Sequence, residues 1–124
     1  FCLPPLMDFI DWAKRSYHVD TWLHICGNTA DKWDLMSDTS AVCLSLDQKV
    51  DLTMAKQVCK GKVCIAGNVD PVHVMDQGGI EEVIASARHC MQAAGPDGFI
   101  LTTGCEMTPT TPLGNVQAMM ETTL

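Results

Sequence analysis

A histidine and a cysteine stand two positions apart in the run "TWLHICGNTAD", as His24 and Cys26, and far downstream a second cysteine, Cys105, sits in "TTGCE". Imidazole nitrogen and thiolate sulfur are donors that Zn²⁺ prefers, in tetrahedral geometry. Two cysteines and one histidine leave a fourth position open, which is the pattern of a catalytic site rather than a structural one. Spacing alone does not decide the matter, because His-x-Cys plus a distant Cys has no fixed signature. The competing reading makes His24 a hydrogen-bonded core histidine and both cysteines small apolar filler.

Other polar residues fall at comparable places. Asp47 follows "AVCLSL", where it could orient a ligand histidine, contact substrate or simply serve a turn. Asn68 and Asp70 lie in "GNVDP", where a helix is expected to open after the third strand; Asn68 is a candidate to line a pocket, and Asp70 is expected to cap and shape the loop there, with ligand contact as the alternative. Glu106, beside Cys105, is either a solvated carboxylate or a fourth ligand that substrate displaces. His18, His73 and His89 read as surface residues, and the Met119–Met120 pair as core.

These residues need elements to place them. Four short apolar runs recur, "TWLHI" (21–25), "AVCLSL" (41–46), "KVCIAG" (62–67) and "GFILTT" (98–103), each ending in Gly, Asp, Asn or Thr. Between them run helical patterns. The first spans 4–18, with Leu6, Phe9, Ile10 and Ala13 at helical spacing and prolines at its start. Others span 30–38, 49–60 and 79–95, the last closed by Gly95, and a final one begins near Pro112. Alternation of this kind predicts an α/β fold of parallel strands joined by helical crossovers. A doubly wound sheet and part of a (β/α)₈ barrel both fit. A full barrel takes about 250 residues, so four βα units in 124 residues predict half of one. In either architecture active sites lie at the carboxyl ends of the strands, where the polar residues fall. Strand alternation puts Trp22, His24 and Cys26 on one face and Leu23 and Ile25 on the other. Cys105 approaches the first two if the first and fourth strand ends lie close.

Composition narrows the class. With 47% hydrophobic and 19% charged residues the chain reads as one globular domain over 1–124, and a net charge of −7 argues against nucleic acid. No apolar run approaches the roughly 18 residues of a membrane span, so a soluble cytoplasmic protein without membrane association is expected. Seven cysteines are an odd count and do not suit a secreted disulfide framework. Cys43, Cys59, Cys64 and Cys90 are expected in the core, while Cys2 carries no signal. The chain opens on Phe1, as a processed or cut product would.

"HICGNT", "SLDQKVDL", "GNVDP" and "GFILTTGCEMTPTTPLGNVQAM" occur in that order, each after an expected strand. Together they resemble the carboxy-terminal half of the uroporphyrinogen decarboxylase superfamily, from about Pro5 to the end. Within it they look like the methylcobamide:coenzyme M methyltransferase branch. The decarboxylases carry a histidine where this chain has Cys105 and lack the His-x-Cys pair. The resemblance implies a (β/α)₈ (TIM) barrel of which this chain supplies the last four units, a single partial domain. The amino-terminal half would come from elsewhere or be replaced by self-association. It further implies that His24, Cys26 and Cys105 are zinc ligands. The reaction implied is zinc-dependent transfer of a methyl group from a methyl-Co(III) corrinoid (methylcobamide), carried by a separate corrinoid protein, to a thiol such as coenzyme M or to another methyl acceptor. Two alternatives stand beside it: a metal-free uroporphyrinogen decarboxylase, and a non-catalytic metal- or corrinoid-binding fragment.

Overall fold

The computed structural model describes residues 1–59 and 61–124. Helix α1 (Leu3–Tyr17) precedes strand β1 (Trp22–Ile25). A 3₁₀ turn (Ala30–Lys32) leads into a short α2 (Trp33–Ser37), followed by β2 (Cys43–Leu46), α3 (Leu52–Cys59), β3 (Cys64–Val69), α4 (Ile80–Ala94), β4 (Phe99–Thr103) and α5 (Leu113–Glu121). The four strands form one parallel sheet in the order β1-β2-β3-β4. The expected alternation is therefore present, with each crossover returning to the neighbouring strand.

Local chemistry sets the ends of the helices. Two prolines occupy the first turn of α1, where their missing N–H groups cost nothing. Lys14 and Arg15 lie in its last turn, and His18 closes it in a left-handed conformation with its N–H on the Lys14 carbonyl. Gly95, at φ 76°, closes α4 at the expected place. The helix expected over 49–60 begins later, at Leu52, because the Asp51 Oδ1 accepts from the Met54 N–H at 2.9 Å. Its expected last residue, Lys60, lies outside the described residues. The expected helix over 30–38 divides into the 3₁₀ turn and α2.

Alternation along the strands separates two faces of the sheet. Leu23, Leu44, Leu46, Ile65 and Val69 face the helices and are buried against residues such as Val83 and Ala87 of α4. Burying a side chain of this size is worth about 1.5–3 kcal/mol, so this face holds the fold. The opposite face carries Trp22, His24, Cys43, Ser45, Cys64, Ala66 and Ile100, with His24 in register with Ser45 and Ser45 with Ala66. No helix covers it among the described residues, and Trp22 (55% exposed) and Ile100 (40%) stand open. Parallel sheets are ordinarily covered on both faces, so this is the inner face of an arc that four strands leave open.

The core expectations hold with two corrections. Cys43, Cys59 and Cys90 are buried, but Cys64 is only half-buried. Met119 is core, whereas Met120 is 64% exposed, since helical rotation turns adjacent residues about 100° apart.

Candidate metal centre

His24 is the third residue of β1, and Cys26 follows the strand's last residue. The pleat aims both side chains to the inner face at the carboxyl end of the sheet. Cys105 lies just beyond β4, past Gly104, whose N–H bonds the Val69 carbonyl at 2.8 Å. Although β1 and β4 are the outermost strands, the sheet curls enough to bring their ends together. The His24 Nε2 lies 3.3 Å from the Cys26 sulfur, and that sulfur lies 3.8 Å from the Cys105 sulfur. One donor atom from each of the three residues fits within 4.8 Å of the other two. Two thiolates bound about 2.3 Å from a tetrahedral Zn²⁺ sit about 3.8 Å apart. The donor set and its spacing thus fit that ion.

Neighbouring residues hold these donors in place. His24 Nδ1 donates to the Ser45 carbonyl at 3.0 Å, with the Ser45 hydroxyl at 3.1 Å. This bond puts the ring proton on Nδ1 and leaves the Nε2 lone pair facing the two sulfurs, the arrangement a metal-binding imidazole needs. Asp47 is buried, and its carboxylate accepts from the Gly27 N–H at 2.7 Å and the Lys49 N–H at 2.9 Å. It therefore ties the turn after Cys26 to the end of β2. The Asp47 option as histidine partner is corrected: that role falls to Ser45, while the turn option stands. Ser45 is visible in sequence as a polar residue closing the second apolar run, but a serine there carries no role by itself. The signal lay in register, since parallel neighbours place it directly opposite His24.

Ionisation agrees with a need for a cation. The Cys26 thiol is raised above its ordinary value chiefly by its hydrogen bond and charge interaction with the Cys105 thiol, with burial and the Asp47 carboxylate adding to the effect. Two thiolates at this distance repel, and a divalent cation between them removes the repulsion.

The three donors line a cavity of about 900 Å³ with Ser45, Thr102, Thr103, Glu106 and Met107. Glu106 is thus at the site. Asn68 is not among these lining residues. Its Nδ2 donates to the carbonyls of Asp47 (3.0 Å) and Val50 (2.8 Å), which fastens the loop after β2 to β3. Asp70 holds a run of turns rather than the start of a helix, its Oδ1 accepting from the N–H groups of Val72 and His73, both at 2.8 Å, while α4 begins only at Ile80.

Comparison with known proteins bears on this arrangement. The family model for uroporphyrinogen decarboxylase (URO-D) matches residues 1–123. The methylcobamide:CoM methyltransferase MtbA of Methanosarcina mazei is 36% identical over 121 residues, covering 98% of this chain and 34% of its own length. A uroporphyrinogen decarboxylase of Trichodesmium erythraeum is 27% identical over 123 residues, covering 98% of this chain and 34% of its own length. A solved structure of a methyltransferase from Methanosarcina mazei matches 98% of this chain and 34% of its own, with a TM-score of 0.87 at 29% identity. The chain spans about a third of the length of these relatives, and its four parallel strands correspond to part of that neighbour's barrel.

Proposed function

This chain belongs to the uroporphyrinogen decarboxylase family, and from that premise we propose that it forms the carboxy-terminal half of a zinc-dependent corrinoid methyltransferase barrel, with His24, Cys26 and Cys105 holding the metal. The observation that carries the proposal is the convergence of one imidazole and two thiols from opposite edges of the sheet on one point at its carboxyl end. Zn²⁺ bound there would supply thiol activation, so that an acceptor such as coenzyme M would be held as its thiolate, the form able to accept a methyl group from a methyl-Co(III) corrinoid. Ser45 fixes the tautomer of His24, and Asp47 fixes the turn that carries Cys26. Thr102, Thr103, Glu106 and Met107 wall the space the acceptor would occupy. Porphyrinogen decarboxylation, the other activity named among the relatives, has no use for a thiol pair, and the approach of Cys26 to Cys105 favours methyl transfer over it.

The partners follow from the same reading. A corrinoid protein would present its cofactor at the open mouth, and seven free thiols suit the reducing cytoplasm. The remainder of the barrel, or failing that a second copy, would cover the inner face and pair with the free edges of β1 and β4. The isolated chain is therefore expected to run larger than a monomer in light scattering at micromolar concentration. A monodisperse monomer would sink that expectation.

Metal analysis tests the function directly. Chain purified from zinc-replete medium should hold about one Zn²⁺, with two sulfurs and one nitrogen in its X-ray absorption shell. Addition of an acceptor thiol should bring in a third sulfur. A chain that holds no zinc would overturn the reading, and an unchanged shell with every thiol tried would remove thiols as acceptors.

A further inference from the structure

The geometry points to Asp76 as a positioning residue for Cys105, acting through the segment that carries this cysteine; the proposal rests on the metal-centre reading above. His24 and Cys26 sit in or directly after a hydrogen-bonded strand and are held by Ser45 and Asp47. Cys105 is framed on one side only, by the Gly104 N–H on the Val69 carbonyl at 2.8 Å. It lies in the stretch between β4 and α5, and its own carbonyl is held by the Thr103 hydroxyl at 2.6 Å. Three residues on, the Thr108 hydroxyl donates to Asp76 Oδ1 at 2.8 Å, and the Thr110 hydroxyl donates to the same oxygen at 2.7 Å. The Thr111 hydroxyl completes the cluster at 3.1 Å from that of Thr108.

Asp76 is itself on a firm base. It lies in the turns between β3 and α4, next to Met75, which is fully buried. The Met75 N–H bonds the Asp70 carbonyl and the Gln77 N–H bonds the Val72 carbonyl, both at 3.0 Å. From α5, the buried Asn115 donates to the carbonyls of Met75 (3.0 Å) and Gly78 (2.9 Å), one on each side of Asp76. The carboxylate is thus the point at which a rigid loop grips a segment with no secondary structure of its own. Its bonds to Thr110 and Thr108 hold it below the usual carboxylate range, so it is an ionised acceptor at neutral pH. Three residues of chain reach no more than about 10 Å, so a fixed Thr108 limits how far Cys105 can swing about its anchor at Gly104.

Two readouts test this, one without metal. In metal-free protein, Cys26 and Cys105 should form a disulfide with an added disulfide oxidant such as oxidised glutathione; two thiols are oxidised and the added disulfide is reduced to two thiols. Asp76→Ala should slow this cross-link about 10-fold, because ring closure depends on how closely the two sulfurs are held. In Co²⁺-loaded protein the same variant should bind about 10- to 100-fold more weakly. Its thiolate-to-cobalt absorption per bound ion should fall to about half the wild-type value, as one of two thiolates is lost. Asp76→Asn keeps an acceptor oxygen for both hydroxyls and should behave as wild type in both assays. Thr110→Val, which removes one hydroxyl alone, should fall between. A purely structural role would lower the melting temperature of Asp76→Ala and leave the per-ion absorption and the cross-linking rate unchanged, and that result would overturn the proposal. Wild-type protein that cross-links normally but binds no Co²⁺ would instead overturn the metal-centre reading, and the cross-linking arm would still decide the role of Asp76.

Discussion

Replacing Cys26 with alanine is expected to weaken Zn²⁺ binding on the order of 1,000-fold, because a bound structural zinc is worth about 10–16 kcal/mol and one of its thiolates is removed. Cys59→Ala and Cys90→Ala should leave affinity unchanged, since both sulfurs are buried on the helix side of the molecule and neither lines the cavity. Competition against a chromophoric chelator measures all three. The pH dependence adds a second signature. In metal-free protein the Cys26 thiol is raised by its hydrogen bond and charge interaction with the Cys105 thiol, so it carries its proton at neutral pH and binding must expel it. Affinity should therefore fall as pH falls, and in Cys26→Ala, which has one proton fewer to expel, the fall should be shallower by about 10-fold per pH unit. Equal losses across the three cysteine variants would return His24 and Cys26 to a packing role.

Gly104→Ala is expected to destabilise the fold by about 1–3 kcal/mol and to weaken metal binding with it. A methyl group at that position would run into the Gln48 nitrogen and lie 2.9 Å from its Cα, a clash with backbone that no turn of the Gln48 side chain relieves. Relief requires the loops after β2 and β4 to part, and these carry Asp47 and Cys105. Gly114, in α5, has open space around its Cα. Alanine there should stabilise by about 0.5–1 kcal/mol through helix propensity and leave the metal affinity alone. Denaturant unfolding with and without zinc separates the two substitutions, and identical behaviour would refute the steric argument.

The parts of this site that local pattern governs were legible from sequence. Alternation sorted Leu23 and Ile25 from His24 and Cys26, and turn residues marked where each strand ended. Cys105 was a weaker inference. Its place depends on the curl of a whole sheet and on a long-range grip by Thr108 and Thr110 on Asp76, and neither leaves a trace in spacing. Ser45 stands in plain view at the end of its strand, but its role comes from register, which a single strand does not reveal. Asn68 has the polarity expected of a pocket residue, yet its amide is occupied by the Asp47 and Val50 carbonyls. Buried backbone carbonyls after β2 compete for such donors as effectively as a substrate would. Met120 departs from expectation for a simpler reason, since an adjacent pair on a helix cannot share one buried face.

The donors come from the two outermost strands of the sheet, and this has a thermodynamic consequence. The path from Cys26 to Cys105 crosses all four strands, so an ion seated between the two sulfurs would close a ring through the entire sheet and act as a ligand for its arched form alone. At an ion concentration about 100 times the dissociation constant, that form would gain about 2.7 kcal/mol over any flattened one. Reciprocity then makes ion affinity a gauge of arch shape: whatever tightens the arch, including the remainder of the barrel, would raise the affinity, and whatever spreads it would release the ion.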